Sequence, residues 1–220
     1  MKAWHEQDTF WMKWAPVLFH ERCLEKTQEE VTNIISLLKI SPEAFVLDLC
    51  CGPGRHSLEL ARSGFSVVGV DRTKTYLEKA RKQAEIERLK VEFIQKDMRS
   101  FCKPNTFDVV INLFTSFGYF EDINDDRQVI TNVYRSLKNR GTFLIDIMGK
   151  EVLARIFQKR DWHEVNDTIV LEERKVCKNW SWIENRWIMI KDGKVEEYKI
   201  SHRLYSAVEL IVLLNDCGFN

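Results

Sequence analysis

The run Val46-Leu47-Asp48-Leu49-Cys50-Cys51-Gly52-Pro53-Gly54-Arg55-His56 constrains the fold more than any other part of the chain. It reads as a buried strand ending in an acidic residue, a turn of small residues and the start of a helix, the arrangement by which an α/β domain holds a nucleoside ligand. Gly52 and Gly54 let the backbone approach a ligand with no Cβ in the way, and the helix beginning near His56 directs its free N–H groups at the same spot. About 17 residues after Gly54, a second apolar strand, 65–70, ends in Asp71. A carboxylate at that strand end can accept both hydroxyls of a ribose.

Details of the loop separate two ligand classes. A dinucleotide loop has the spacing G-x-G-x-x-G, because a pyrophosphate sits on the helix N-terminus and the third glycine permits tight helix packing. Here the position three beyond Gly54 is Ser57. Asp48 suits a ligand end that carries an amine instead. The stretch resembles the glycine motif of class I S-adenosylmethionine-dependent methyltransferases, in which an acidic residue, small residues and G-x-G follow one another. Cys50 stands where that pattern has its first glycine, and cysteine is small enough for the loop to survive the exchange.

The resemblance covers roughly residues 31–148 and implies an α/β three-layer sandwich around a mostly parallel, Rossmann-like sheet, with S-adenosyl-L-methionine as cofactor. It places Asp48, Cys50, Gly52 and Gly54 at the cofactor's amino acid end, Asp71 on the ribose and Arg72 beside the adenine. After a helix at 75–89 and a strand at 91–94, it implies that Asp97 holds the adenine amine and that Met98 packs on the ring. The fourth strand, 107–112, brings Asn112 to the end that faces the methyl group. A helix at 125–138 and a fifth strand at 141–146 follow, with Arg140 in place of one glycine of the family's "LK-x-GG-x-F" pattern. Asn112 is not followed by the Pro-Pro-aromatic of enzymes that methylate amines of nucleic-acid bases. The Leu113-Phe114-Thr115-Ser116-Phe117 found there resembles small-molecule methyltransferases.

Composition agrees with this reading. Lys plus Arg and Asp plus Glu both number 33, so the balance of charge provides no basis for a nucleic acid or an anionic membrane as partner. No stretch approaches ~20 apolar residues and the N-terminus lacks a signal-peptide core, which predicts a cytoplasmic protein. The six cysteines are scattered without C-x-x-C or a histidine at ligand spacing, so no metal is expected. Cys50-Cys51 reads as two small apolar residues in a buried turn in preference to a redox pair.

Four regions are expected: an aromatic lid and helix (1–40), the cofactor-binding core (41–150), an antiparallel β-cap insertion (151–205) and a final core helix (206–220). Aromatic residues and Pro16 crowd the first region, before an amphipathic helix at about 27–38. Phe10, Trp14, Phe19 and Arg22 are read as a lid over cofactor and substrate; the competing reading is that the aromatics staple the helix to a sheet. Segments 168–174, 182–190 and 195–204 have strand character, with Asp192-Gly193 as a hairpin turn between the last two. Such a cap would lie over the carboxyl ends of the parallel strands, with Trp162, Trp180, Trp182 and Trp187 as its apolar surface. The alternative is a homodimer surface, formed by the cap or by an open sheet edge.

Displacement at a sulfonium has an activated leaving group, so orientation and exclusion of water supply much of the acceleration. A base is needed only if the acceptor must lose a proton. His56, Tyr119 and His202 are candidates that spacing does not distinguish, and Phe117 joins Tyr119 and His202 as a substrate contact. Gly218 reads as a helix C-cap, and the family's two further strands after a Gly-Phe are not present in the sequence. The reading is therefore methyl transfer to a small-molecule oxygen or nitrogen. The alternatives are a non-catalytic or truncated S-adenosylmethionine-binding scaffold and an NAD-dependent oxidoreductase, which the missing third glycine opposes.

Overall fold

The computed structural model describes residues 2–220. In chain order, a 3-10 turn at Trp4–Glu6 precedes α1 (Asp8–Leu18), α2 (Glu21–Glu25) and α3 (Thr27–Leu38). Then come β1 (Phe45–Leu49), α4 (Arg55–Arg62), β2 (Ser66–Asp71), α5 (Lys74–Glu87), β3 (Val91–Gln95), β4 (Phe107–Asn112), α6 (Ile123–Ser136) and β5 (Leu137–Ile145). The remainder is α7 (Lys150–Ile156), β6 (Arg160–Val165), β7 (Thr168–Cys177), β8 (Trp182–Lys191), β9 (Lys194–Arg203) and α8 (Ala207–Asp216). The chain forms two compact units. One comprises Met1–Cys23, Gly118–Ile123 and Met148–Leu213; the other comprises Leu24–Phe117, Asn124–Ile147 and Leu214–Asn220.

The second unit is built on five parallel strands in the order β3-β2-β1-β4-β5. Parallel strands are buried by the helices that connect them, which is why β1, β2 and β4 are near-continuous apolar runs. Val46, Val67, Val109 and Ile111 from these strands pack with Val31 and Ile34 of α3 and Leu60 of α4. Leu77, Ala80 and Ala84 of α5 close a second cluster around Phe93. The strand order reverses between β1 and β4, so a crevice opens at their carboxyl ends, the place where ligands bind such sheets.

Several boundaries differ from the sequence reading: α5 ends at Glu87, not at 89, and β5 begins at Leu137, not at 141. The sixth helix stops at Ser136, not at 138, because Leu137 is buried and already pairs with Phe107. Val109 pairs next with Thr142, so the exposed Lys138-Asn139-Arg140 is an excursion, with Arg140 at φ 63°.

The first unit holds a four-stranded antiparallel sheet in the order β6-β7-β8-β9. The Asp192-Gly193 turn is present, both residues at positive φ (50° and 71°), the geometry that matches the twist of a two-residue hairpin. A second such turn, Asn166-Asp167 at φ 49° and 58°, joins β6 to β7. The helix α1 runs through Pro16 and lays Phe10, Trp14 and Val17, at i, i+4 and i+7, against Val170 and Ile200 of the sheet. The first 23 residues thus group with the antiparallel sheet and α3 with the parallel one.

Candidate functional site

The turn after β1 is shaped by backbone bonds: the Cys51 N–H donates to the Val70 carbonyl (3.0 Å) and the Gly54 N–H to the Cys51 carbonyl (2.9 Å). Cys50, Gly52 and Gly54 all have positive φ (64°, 55° and 79°). At Gly54 a Cβ would also lie 2.9 Å from the Phe93 ring and 3.0 Å from the Ala80 methyl, so glycine is required there twice over. Cys50 accepts the left-handed conformation at a cost of roughly 1–2 kcal/mol, and its Sγ donates to Met98 Sδ at 3.4 Å.

At the end of β2 the Asp71 carboxylate is held by two backbone donors, the Gly52 N–H at 2.9 Å and the Thr73 N–H at 2.7 Å, one to each oxygen. Burial pushes its carboxyl up, and these two bonds oppose the rise. Asp48, buried at the end of β1, is pushed up to about 6 by desolvation, although the Ser57 hydroxyl donates to it at 2.6 Å. Asn112 donates from Nδ2 to the Leu49 carbonyl (2.9 Å), while its Oδ1 is buried with no hydrogen-bond partner among the described residues. An acceptor left so, at the tip of β4 beside the glycine turn, fits a ligand that brings a donor.

Past β3, burial pushes the Asp97 carboxyl up, but hydrogen bonds and charge from Arg99 outweigh it and leave the carboxyl below its ordinary value. The Arg99 N–H, Nε and Nη2 donate to it at 2.8, 3.0 and 2.8 Å, and Arg99 also reaches Asp125 at 3.2 Å. The sequence reading named Asp97 and Met98 and missed Arg99, which carries no pattern signal of its own.

His56 lies with Nε2 3.0 Å from Glu30 Oε2, and the same oxygen accepts from Arg55. Burial and the Arg55 charge lower the His56 ring to about 4, so it is neutral at pH 7. Phe114 stacks on His56 (5.5 Å, 24°) and lies beneath the Arg55 guanidinium (4.6 Å). Phe114 and Thr115 both have positive φ (54° and 56°), an arrangement disfavoured for a β-branched residue. Asp146 pins them: its carboxylate accepts the Phe114 N–H (3.1 Å) and its carbonyl the Thr115 N–H (2.9 Å). The sequence reading assigned no role to Glu30 or Asp146, and it named Phe114 only as part of the run 113–117.

The residues expected at the cofactor, Asp48, Cys50, Gly52, Gly54, Asp71, Arg72, Asp97, Met98 and Asn112, belong to the second unit, as does the buried Phe117. The expected lid and substrate residues Phe10, Trp14, Phe19, Arg22, Tyr119 and His202 belong to the first. There Phe10 and Trp14 are core residues, 1% and 0% exposed, while Arg22 is exposed. His202 is half-buried, and burial lowers its ring below the ordinary value. Among the described residues no helix is long and apolar enough to cross a membrane.

Residues 46–141 match a family model described as a methyltransferase domain. A putative methyltransferase of Geobacillus sp. (strain WCH70) is 33% identical over 113 residues, 51% of this chain and 46% of that protein. A ubiquinone biosynthesis O-methyltransferase of Rickettsia conorii is 29% identical over 139 residues, covering 63% of this chain and 45% of its own length. A glycine/sarcosine N-methyltransferase of Parasynechococcus marenigrum is 31% identical over 123 residues, 55% and 44% respectively. The aligned part is thus about half the length of these relatives. In fold, the chain superposes on an S-adenosylmethionine-dependent methyltransferase from Clostridium acetobutylicum with a TM-score of 0.77 at 18% identity, over 97% of this chain and 87% of that one.

Proposed function

We propose that the chain is a class I S-adenosylmethionine-dependent methyltransferase, as the match of residues 46–141 to a methyltransferase domain supports, and that it transfers the methyl group of S-adenosyl-L-methionine to an oxygen or nitrogen of a small molecule. When bound, the cofactor supplies a sulfonium-activated methyl group with a neutral thioether as leaving group. Asp71 is the observation that carries the reading. Two backbone N–H groups hold its carboxylate at the end of β2, so both oxygens are preset as acceptors for neighbouring ribose hydroxyls. The unpartnered Asn112 Oδ1 suits the ammonium at the amino acid end, and Gly52, at positive φ and without a Cβ, lets the backbone of the turn close on it. Met98 offers an apolar side chain for an adenine ring.

The oxygen or nitrogen acceptor is supported by the named activities of the O- and N-methyltransferase relatives. In-line displacement needs the acceptor aligned and water kept away, and it needs a base only where the acceptor must be deprotonated. Isothermal titration with S-adenosylhomocysteine, with NAD as control, tests the proposal. Micromolar binding of the former alone is expected. Binding of NAD, or of neither ligand, overturns it.

A further inference from the structure

We propose that Arg99 is a positioning residue that makes Asp97 a one-site acceptor for an exocyclic amine, so that the cofactor site selects a 6-amino over a 6-oxo purine; this deepens the S-adenosylmethionine reading and rests on it. Asp97, Arg99 and the groups around them all belong to the second unit. A carboxylate has about four lone-pair positions, two on each oxygen. Arg99 fills three of those on Asp97: its backbone N–H (2.8 Å) and Nε (3.0 Å) donate to Oδ1, and Nη2 (2.8 Å) donates to Oδ2. Among the described residues Asp97 therefore keeps one position, on Oδ2, and its side chain remains 27% exposed. Asp97 stands beside the glycine turn. Burial pushes the Cys50 thiol up, and the charges of Asp71, Asp48 and Asp97 add to the rise, while Cys50 Sγ lies 3.4 Å from Met98 Sδ. A fixed acceptor next to the buried, apolar Met98 matches the edge of a flat ring that carries an N–H.

Arg99 is itself held at both ends by α6. Its Nη1 donates to Asp125 at 3.2 Å, and its carbonyl accepts from Asn132 Nδ2 at 2.8 Å. A planar guanidinium fork that meets a carboxylate at two points sets the plane of that carboxylate as well as its charge. Burial pushes the Asp97 carboxyl up, and the hydrogen bonds and charge of Arg99, with the charge of Arg72, bring it below its ordinary value. Besides these two arginines, the ionisable groups around the pair are the Cys50 thiol and, on the guanidinium's remaining nitrogen, Asp125. Without Arg99 the burial of Asp97 is opposed by Arg72 alone, and its carboxyl rises. An ionised carboxylate with one open position accepts an amine N–H, whereas a 6-oxo oxygen there sets acceptor against acceptor. A site built for an N–H donor rejects a ligand that lacks it.

The test compares S-adenosylhomocysteine with S-inosylhomocysteine, which carries oxygen in place of the 6-amine, by calorimetric titration of the full chain at about pH 7.5 and about pH 5.5. The readout is the ratio of the two Kd values, because Asp48, Asp71 and Cys50 face parts that both ligands share. The parent chain should bind the adenosyl ligand at least about tenfold tighter at both pH values. Arg99→Gln should lower that ratio at least about threefold at the higher pH and further at the lower one, where the Asp97 carboxyl takes up a proton. Arg99→Lys keeps the charge and loses the fork, so its ratio should lie below the parent's yet be the same at both pH values. Asp97→Asn, whose amide presents either an oxygen or an NH2, should bring the ratio within about threefold of unity. A parent ratio already within about threefold of unity overturns the proposal, as does an Arg99→Gln variant that loses both ligands equally, the mark of a merely structural role. Should Arg99→Gln fail to fold, an Arg99→Lys ratio equal to the parent's overturns it. Failure of the parent chain to bind S-adenosylhomocysteine overturns the methyl-transfer reading, and the proposal with it, whereas binding of both ligands without preference overturns the proposal alone.

Discussion

Asp48 and His56 pull stability in opposite directions as pH changes. Burial pushes the Asp48 carboxyl up to about 6, so between about pH 4 and 6 the folded chain holds a proton that the unfolded chain has lost, and stability falls as pH rises. Burial and Arg55 lower His56 to about 4, so between about 4 and 6.5 the unfolded chain holds the extra proton and stability rises with pH. At 1.36 kcal/mol per pKa unit each effect is worth about 3 kcal/mol, and the two nearly cancel in the shared window. Single substitutions should unmask them. In denaturant titrations, Asp48→Asn should give stability that climbs from pH 4 to 6, and His56→Asn stability that declines; parallel profiles for the two variants would contradict the assignment. The role proposed for Asp71 is in ligand binding. Asp71→Ala should weaken S-adenosylhomocysteine by about 2–5 kcal/mol in a calorimetric titration, the usual effect of removing one partner of a buried charged hydrogen bond. Undiminished affinity would remove Asp71 from the ribose.

Elements were legible in the sequence where one physical pattern dominates. The parallel strands are buried by their crossover helices, so β1, β2 and β4 announce themselves as apolar runs, and Asp192-Gly193 announces its hairpin through two residues that tolerate positive φ. The strand β6 was not read because Arg160-Asp161-Trp162-His163-Glu164-Val165 is mostly exposed and carries no alternation, although Asn166-Asp167 beside it is a turn signal. Among candidate site residues, Asp48 and Asp71 were legible as acidic residues that end apolar strands, and Asp97, Met98 and Asn112 through the family resemblance. The contacts of Glu30, Arg99, Phe114 and Asp146 were not legible, because each joins residues that only the folded chain brings together. The two glycine turns separate backbone strain from packing. A Cβ at Gly193 (φ 71°) meets nothing within 4 Å, so Gly193→Ala should cost only the left-handed penalty, about 1–2 kcal/mol, and leave ligand binding unchanged. At Gly54 the same methyl would also strike the Phe93 ring. Gly54→Ala should therefore destabilise more than Gly193→Ala in thermal melts and weaken S-adenosylhomocysteine as well; equal losses in the two variants would mean that Phe93 yields freely.

At the scale of the molecule, the path of the chain decides how the two units unfold. The first unit is assembled from three separate segments, Met1–Cys23, Gly118–Ile123 and Met148–Leu213, and the chain between them belongs to the second unit. While the second unit is folded, it closes the long loops that bring these segments together; once it unfolds, the first must bear that closure entropy alone. Unfolding should therefore be a single cooperative event, despite two separate sheets. The placement of tryptophan makes this measurable. All seven, Trp4, Trp11, Trp14, Trp162, Trp180, Trp182 and Trp187, belong to the first unit, whereas the proposed cofactor residues belong to the second. Tryptophan fluorescence thus reports the first unit, and far-ultraviolet circular dichroism reports both. Without ligand the two melting curves should coincide. S-adenosylhomocysteine at a hundredfold excess over its Kd adds about 2.7 kcal/mol to the folded state, which for a chain of this size raises Tm by roughly 5–10 °C. The fluorescence curve should move by that full amount even though no tryptophan is assigned to the cofactor. A fluorescence transition that stays in place while the dichroism shifts would show that the antiparallel unit unfolds independently of the parallel one.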